Sequence, residues 1–472
     1  MTPRRLDALL APRSIAVVGA SPDLHIFRGR TLKVMLGHPY AGRIYPVSRS
    51  HAEIQGLPAY ATVAAIPEPV DLAILIIPAE FVPDELERCA AAGVKAAMIL
   101  SSGFAEARTP AGEALQARIV AIAARHGIVV CGPNAEGYAN TAAALCPTFS
   151  PAVDNLGVPL VPAWRGRGRV AVVAQSGGMA FALFDRGRPR ELAFSYVITT
   201  GNEACLESFE LVDHLLDEGT SDVVLVYLET LRDPRRFERV AARALALGVP
   251  IIVAKVGRSA AGVRAALAHT GAIAGDPAEY QAMFRRHGVI EAADLDEMLD
   301  LAAAFSSCGD RLPAGTRVGI GTASGGGGGW LADACTAAGL DVPLLDPRTR
   351  ARLDALIPGY GCSQNPVDAT AQAILQSGYA ELARLIVESD AIDAVIMIVS
   401  ARLAASFERE REALTALTRD SGKPILLWSY TLPGAGTAAI VGQAGYPLFT
   451  SMPGCAKALA AMAHYRAIRD RR

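Results

Sequence analysis

Aromatic side chains are scarce in this chain, 6 % of 472 residues, and charged ones reach only 19 %. The 51 % that is hydrophobic is mainly small aliphatic residues. Such a composition suits sheets covered on both faces by Ala-rich helices, with strands written as unbroken apolar runs. Neither charge sign dominates: 45 basic and 47 acidic residues give a net charge of −2. That balance argues against nucleic acid or an anionic membrane as the main partner. No Cys-x-x-Cys pair occurs among the eight cysteines, so neither a zinc site nor a thioredoxin-like site is expected. Their scatter fits thiols of a reducing, cytoplasmic compartment. No apolar run approaches the roughly 20 residues of a membrane-spanning helix, and the stretch after Met1 is too short for a signal peptide. No GxxxxGK[ST] phosphate loop is present. The length fits about three domains.

What is present is alternation. SIAVVGAS (14–21), RIYPVS (43–48), DLAILIIP (71–78), KAAMIL (95–100) and GIVVCGPN (127–134) are apolar strands. Helical stretches at 81–93 and 109–127 separate the later ones. This order predicts a parallel, doubly wound sheet. A Pro/Gly-rich stretch, 147–168, follows as a linker. Beyond it the chain repeats itself. RVAVVAQSGGMAFALFDRG (169–187) parallels RVGIGTASGGGGGWLADACTAAG (317–339); SDVVLVYLE (221–229) parallels IDAVIMIVS (392–400); GVPIIVAKV (248–256) parallels GKPILLWSY (422–430). Three matches in one order predict two flavodoxin-like α/β domains. The expected domains are 1–147, 165–308 and 314–472.

Glycines punctuate the strand ends. Gly19-Ala20-Ser21 lets a phosphate approach the backbone at a helix N-terminus, where free N–H groups and the positive dipole end lie. A tight turn with no ligand is the other reading. Pro22 and Asp23 break the GxGxxG pattern, which disfavours a dinucleotide site and leaves an NAD-dependent dehydrogenase resting on the strand–glycine–helix start alone. Ser176-Gly177-Gly178 is a stronger anion-binding helix start, against a merely capped helix. Ser324 precedes five glycines, 325–329, whose entropic cost favours a functional or mobile loop.

The segment 257–275 is built almost wholly of small residues around His269, flanked by Ala268, Thr270 and Gly271. It has little to bury and is expected at the surface as a loop or short helix. Neutral imidazole is a nucleophile toward phosphoryl groups near neutral pH. His25, His38, His51, His126, His214, His287 and His464 lack that setting and read as surface or packing residues. Glu229 ends a strand on the same domain, where its carboxylate can orient an imidazole or simply face solvent.

These segments together resemble the alpha subunit of nucleoside-diphosphate-forming acyl-CoA synthetases, the group of succinyl-CoA synthetase and ADP-forming acetyl-CoA synthetases. The likeness runs from about Leu10 to the C-terminus. It rests on SIAVVGAS with RIYPV, CGPNAEG (131–137), AQSGG (174–178), TGNEACLESFELVDHL (200–215) with VYLE, AHTGAIAG (268–275) and NPVDAT (365–370). The resemblance implies a Rossmann-like CoA-binding domain followed by two succinyl-CoA synthetase-type flavodoxin domains. It implies phosphorylation of His269, support from Glu229, and phosphate held by Ser176, Gly177, Gly178, Thr270 and Gly271. Gly19, Ala20, Ser21, Val47, Pro78, Ser101, Gly103 and Asn134 would line the CoA site. No metal ligand is implied on this chain. The departures are Ala135 where the family often has Cys, Ala268 where Ser often precedes the histidine, and Ser48-Arg49 where Asn-Pro is usual.

The implied activity is acid–CoA ligation, interconverting carboxylate, CoA and ATP with acyl-CoA, ADP and phosphate through an acyl phosphate and phospho-His269. With no phosphate loop and no further domain after the third, ATP or ADP with Mg²⁺ is expected on a separate ATP-grasp beta subunit in a hetero-oligomer. The alternative is a CoA-binding or regulatory homologue with reduced catalysis.

Overall fold

One strand order, 2-1-3-4-5, recurs three times along this chain. The structure is a computed structural model describing residues 6–154, 159–160, 168–264 and 276–471. The first sheet runs Arg43–Val47, Ser14–Val18, Leu72–Leu75, Ala96–Ile99, Val129–Cys131, all parallel. The second has Ala193–Thr199, Arg169–Ala174, Val223–Leu228, Ile251–Lys255, Ile290–Glu291 in the same order. The third has Val367–Asp368, Val318–Thr322, Ala394–Val399, Ile425–Ser429, Leu448–Phe449. The repeat seen in the sequence is thus a repeat of topology. Strands such as Ala394–Val399 are buried along their whole length because helices cover both faces.

In sheets of this order, ligands bind where connections from neighbouring strands diverge, beyond the carboxyl ends of the first and third strands. Gly19 and Pro78 occupy that place in the first sheet, and Ser176 and Glu229 in the second.

Two packing features join the domains. Tyr138–Asn140 adds an antiparallel edge strand to the second sheet, paired with Ala193–Thr199. The Tyr138 hydroxyl and the Asn140 amide then donate back to the carbonyls of Leu9 and Leu10, at 2.6 and 2.9 Å. This strand therefore ties the first domain to the second sheet. The second and third domains share one core, with Phe305 of helix Leu295–Cys308 edge-on to Tyr465 of helix Met452–Arg469 at 5.5 Å. Helix Leu295–Cys308 starts where the Asp294 carboxylate accepts from the Glu297 N–H, and it buries Met298, Leu301, Ala302 and Phe305 at helical spacing.

The five glycines after Ser324 are not a loop. They form the opening turns of helix Gly325–Ala337. Space demands glycine at only some of them. A Cβ on Gly325 would lie 2.7 Å from an Asp368 carboxylate oxygen and one on Gly328 3.1 Å from Pro366, whereas Gly326 and Gly329 face open space.

Candidate functional site

Two clefts meet on the first domain. One, of about 550 Å³, is lined by Gly19, Ala20, Ser21, Val47 and Pro78, with Arg28 and His51 at its side. Gly19 has φ +89° and lies so close to the next strand that a Cβ would come 2.4 Å from the Ile76 carbonyl oxygen. Only glycine permits both. His51 Nδ1 lies 3.0 Å from the Ser50 hydroxyl, so this histidine, passed over in the sequence, sits on the cleft wall.

The second cleft, about 720 Å³, opens between the first and second domains. Pro78, Ser101 and Asn134 line it from one side, and Ser176, Gly177 and Gly178 from the other. Pro78, Ile77 and Arg28 line both clefts, so a ligand can pass from one to the other. The Ser101 hydroxyl donates to the Ile77 carbonyl at 2.6 Å and accepts from the Ile77 N–H at 3.1 Å, fixing the shared wall. Gly103 lines neither cleft; its N–H is taken by Glu106 at 2.6 Å.

Ser176 is the N-cap residue of helix Gly177–Gly187, and its side chain makes no capping hydrogen bond. Helix N-termini carry free N–H groups and a partial positive charge that suit an anion. Gln175 holds this helix start to the neighbouring strand ends. Its carbonyl oxygen accepts from the N–H groups of Glu229 and Thr230 at 2.6 and 2.9 Å, and its amide nitrogen donates to Glu203 at 2.9 Å and to the Thr230 carbonyl at 2.7 Å. Glu203 also accepts from the Thr200 hydroxyl and from the N–H and hydroxyl of Ser208. Burial raises its carboxyl above the usual range, against those hydrogen bonds. Glu229 is buried beside this network and lines neither cleft.

Lys255 ends the strand that leads into the histidine segment. Its ammonium donates to the Glu229 carbonyl at 2.8 Å and lies 4.7 Å from the centre of the Tyr280 ring. Burial lowers its pKa to about 8, although Glu229 pulls the other way. A lysine closing the apolar run PIIVAK was the signal that could have found it; Glu203 gave none. His269, Thr270 and Gly271 lie outside the described residues. Among the described residues, one group of metal-ligand type, Asp7, His214 and Glu218, has its ligand atoms within 4.8 Å of one another. It lines neither cleft. No described helix is long and apolar enough to cross a membrane.

Three family models match in succession: a CoA binding domain over 13–140, a succinyl-CoA ligase like flavodoxin domain over 167–305 and a ligase-CoA domain over 318–405. The alpha subunit of an ADP-forming acetate–CoA ligase II of Pyrococcus furiosus is 35 % identical over 393 residues, 83 % of this chain and 82 % of that one. An ADP-forming acetate–CoA ligase I of Archaeoglobus fulgidus is 33 % identical over 409 residues, 87 % of this chain but 57 % of that longer one. The dinucleotide forming acetyl-coenzyme A synthetase 1 of Ca. Korarchaeum cryptofilum, solved with phosphate and ADP, superposes with a TM-score of 0.85 over 98 % of this chain and 97 % of that chain at 28 % identity. With a CoA-binding domain ahead of two succinyl-CoA synthetase-type domains, this chain belongs to the ADP-forming acetate–CoA ligase family.

Proposed function

We propose that this chain is the CoA-handling and phosphohistidine-carrying subunit of an ADP-forming acid–CoA ligase. The observation that carries this is one cavity faced both by the helix start Ser176–Gly178 and by Pro78, Ser101 and Asn134 of the CoA-binding domain. CoA enters along Gly19, Ala20, Ser21 and Val47, and its thiol end passes Pro78 toward Asn134. The acid's carboxylate lies by the open N–H groups of Ser176–Gly178, where charge on a transferring phosphoryl group is stabilised.

The γ-phosphoryl of ATP passes to His269, releasing ADP. A carboxylate oxygen then takes the phosphoryl from His269, giving an acyl phosphate and free imidazole. The CoA thiol attacks the acyl carbon, phosphate leaves, and the thiol proton goes to solvent or phosphate. Splitting one hard displacement in this way lowers each barrier. Glu229 supports the imidazole, with Thr270 and Gly271 adding phosphate contacts. The domains divide as 1–147, 165–308 and 314–472, and the protein works in the cytoplasm. ATP and Mg²⁺ bind on a separate ATP-grasp beta subunit, as the Pyrococcus alpha-subunit relative suggests. The acid is a monocarboxylic one, as acetate is for the named relatives.

Incubation with that partner and γ-labelled ATP tests the proposal. Acid-labile, base-stable label on the wild-type chain, lost in His269→Asn, is the expected result. Robust ADP formation by the isolated chain, or label that survives His269→Asn, refutes it.

A further inference from the structure

Among the described residues, Glu136 is the one carboxylate lining the larger cleft. Its side chain lies directly against the helix start: a Cβ on Gly177 would come 2.4 Å from Glu136 Cβ and 2.6 Å from its Oε2. Its backbone is fixed. The Glu136 N–H donates to the Thr199 hydroxyl at 2.9 Å, and the Thr148 hydroxyl donates to the Glu136 carbonyl at 2.6 Å. Ser150 lies near enough to its carboxyl group to favour the charged form. Among the described residues it forms no ion pair.

A carboxylate is a poor neighbour for an incoming carboxylate or phosphoryl group, since like charges in a half-buried cleft repel. Burial already raises the Glu136 carboxyl. A donor on the bound acid offsets both costs. Apolar groups supply much of the remaining wall: Ile26, Ile76 and Leu100 line it, and Phe27 stacks on Phe149 with ring centres 4.3 Å apart, beside the polar Arg28, Ser101 and Asn134. Resting on the ligase reading above, we propose that Glu136 determines specificity. It selects acids with an apolar body and a hydroxyl or ammonium group on the α or β carbon, close enough to the carboxyl group to reach Glu136 beside the helix start.

The test compares acids of one skeleton, 3-phenylpropanoate, 2-hydroxy-3-phenylpropanoate and phenylalanine, with the chain reconstituted with its nucleotide-binding partner. A hydrogen bond to a charged acceptor predicts a preference of about 10- to 100-fold in kcat/KM for a donor-bearing acid over the plain one. Glu136→Leu is expected to bring the ratio to about 1, chiefly by gaining on 3-phenylpropanoate. Glu136→Gln keeps the side chain's shape, so it separates loss of charge from misfolding. It retains an acceptor for the hydroxyl but loses any preference for the ammonium. Equal use of all three acids by the wild type overturns the proposal and leaves the ligase reading intact. So does an equal loss on all three acids in Glu136→Gln, which marks a step common to every substrate. Failure of the wild type to ligate these or any other carboxylic acid sinks the ligase reading itself.

Discussion

The Lys255 ammonium donates to the carbonyl oxygen of Glu229 at 2.8 Å and to that of Val256 at 2.5 Å. It thereby clamps the end of one strand to the residue that opens the segment running to His269. Burial lowers its pKa from 10.5 to about 8. Between those values the folded protein has released a proton that the unfolded chain still holds, so this group makes stability rise with pH across that window. Below about pH 8 both states are protonated and the buried charge costs its full amount. The wild type should gain on the order of 2 kcal/mol relative to Lys255→Met between about pH 7.5 and about pH 10. Urea unfolding of both proteins at the two pH values checks it; a constant difference means the ammonium is not buried as described.

Glu203 behaves in the opposite sense. Its carboxyl is held above 4.5 by burial, so over the window between 4.5 and its folded value the folded state keeps a proton that the unfolded chain has lost. The contribution is full below about 4.5 and fades as pH rises through the folded value. Relative to Glu203→Gln, the wild type should therefore lose stability as pH rises from about 4.5 toward neutrality. Glu203→Ala strands the donors of Gln175, Thr200 and Ser208 and should cost about 3 kcal/mol. Denaturant midpoints at acid and neutral pH measure both effects.

Strands and their order were readable because buried parallel strands are written as apolar runs, and because the second and third domains repeat one another. The helix start at Ser176-Gly177 was readable as well. The helix expected at Gly19-Ala20-Ser21 begins only at Phe27, because Gly19 serves the close approach of the neighbouring strand's Ile76 carbonyl and not a helix N-terminus. The glycines after Ser324 misled: entropy argued for a loop, yet packing against Asp368 and Pro366 draws them into a helix. Glu203, Gln175 and Lys255 stayed hidden for a different reason. Their roles depend on three strand ends meeting, and the intervals of roughly 25 to 55 residues between the partners are set by topology. Glu136 stood in plain view inside CGPNAEG, but its contact with Gly177 crosses the domain junction.

Gly201 controls that junction. It has φ +56°, and a Cβ there would lie 2.2 Å from the Pro133 carbonyl oxygen. The same turn is laced to its neighbour by N–H groups of Asn202 and Ala204 bonding the carbonyls of Pro133 and Gly132 at 2.9 and 3.0 Å. Gly201→Ala should push the Pro133–Asn134 turn away and widen the larger cleft. The expected cost is about 2–3 kcal/mol with weaker CoA binding by calorimetric titration. Gly219 is the control, because its φ is +64° but nothing stands near its Cβ position. Gly219→Ala should cost only about 1 kcal/mol and leave CoA binding alone. Equal effects of the two substitutions would show that strain, not the junction, is responsible.

Asn365 repairs a sheet edge. Strand Val367–Asp368 pairs with Gly321 and Thr322, and Asp341 bridges Arg317 and accepts from the Val318 N–H, which leaves the Val318 carbonyl and the Ile320 N–H between the two pairings. The Asn365 side chain takes the strand's place: it accepts from the Ile320 N–H at 2.8 Å and donates to the carbonyls of Val318 and Pro343 at 2.8 and 2.9 Å. Asn365→Ala exposes three buried backbone groups to no partner and should cost about 2–4 kcal/mol. Asn365→Asp is the sharper test. It keeps the volume but turns a carboxylate toward two carbonyl oxygens, so at neutral pH it should be at least as damaging as Ala. Protonation restores one donor, so the Asp variant alone should recover part of its loss below about pH 5. Because the second and third domains share a core, the loss should appear as a lower midpoint of one joint transition rather than as early melting of the third domain.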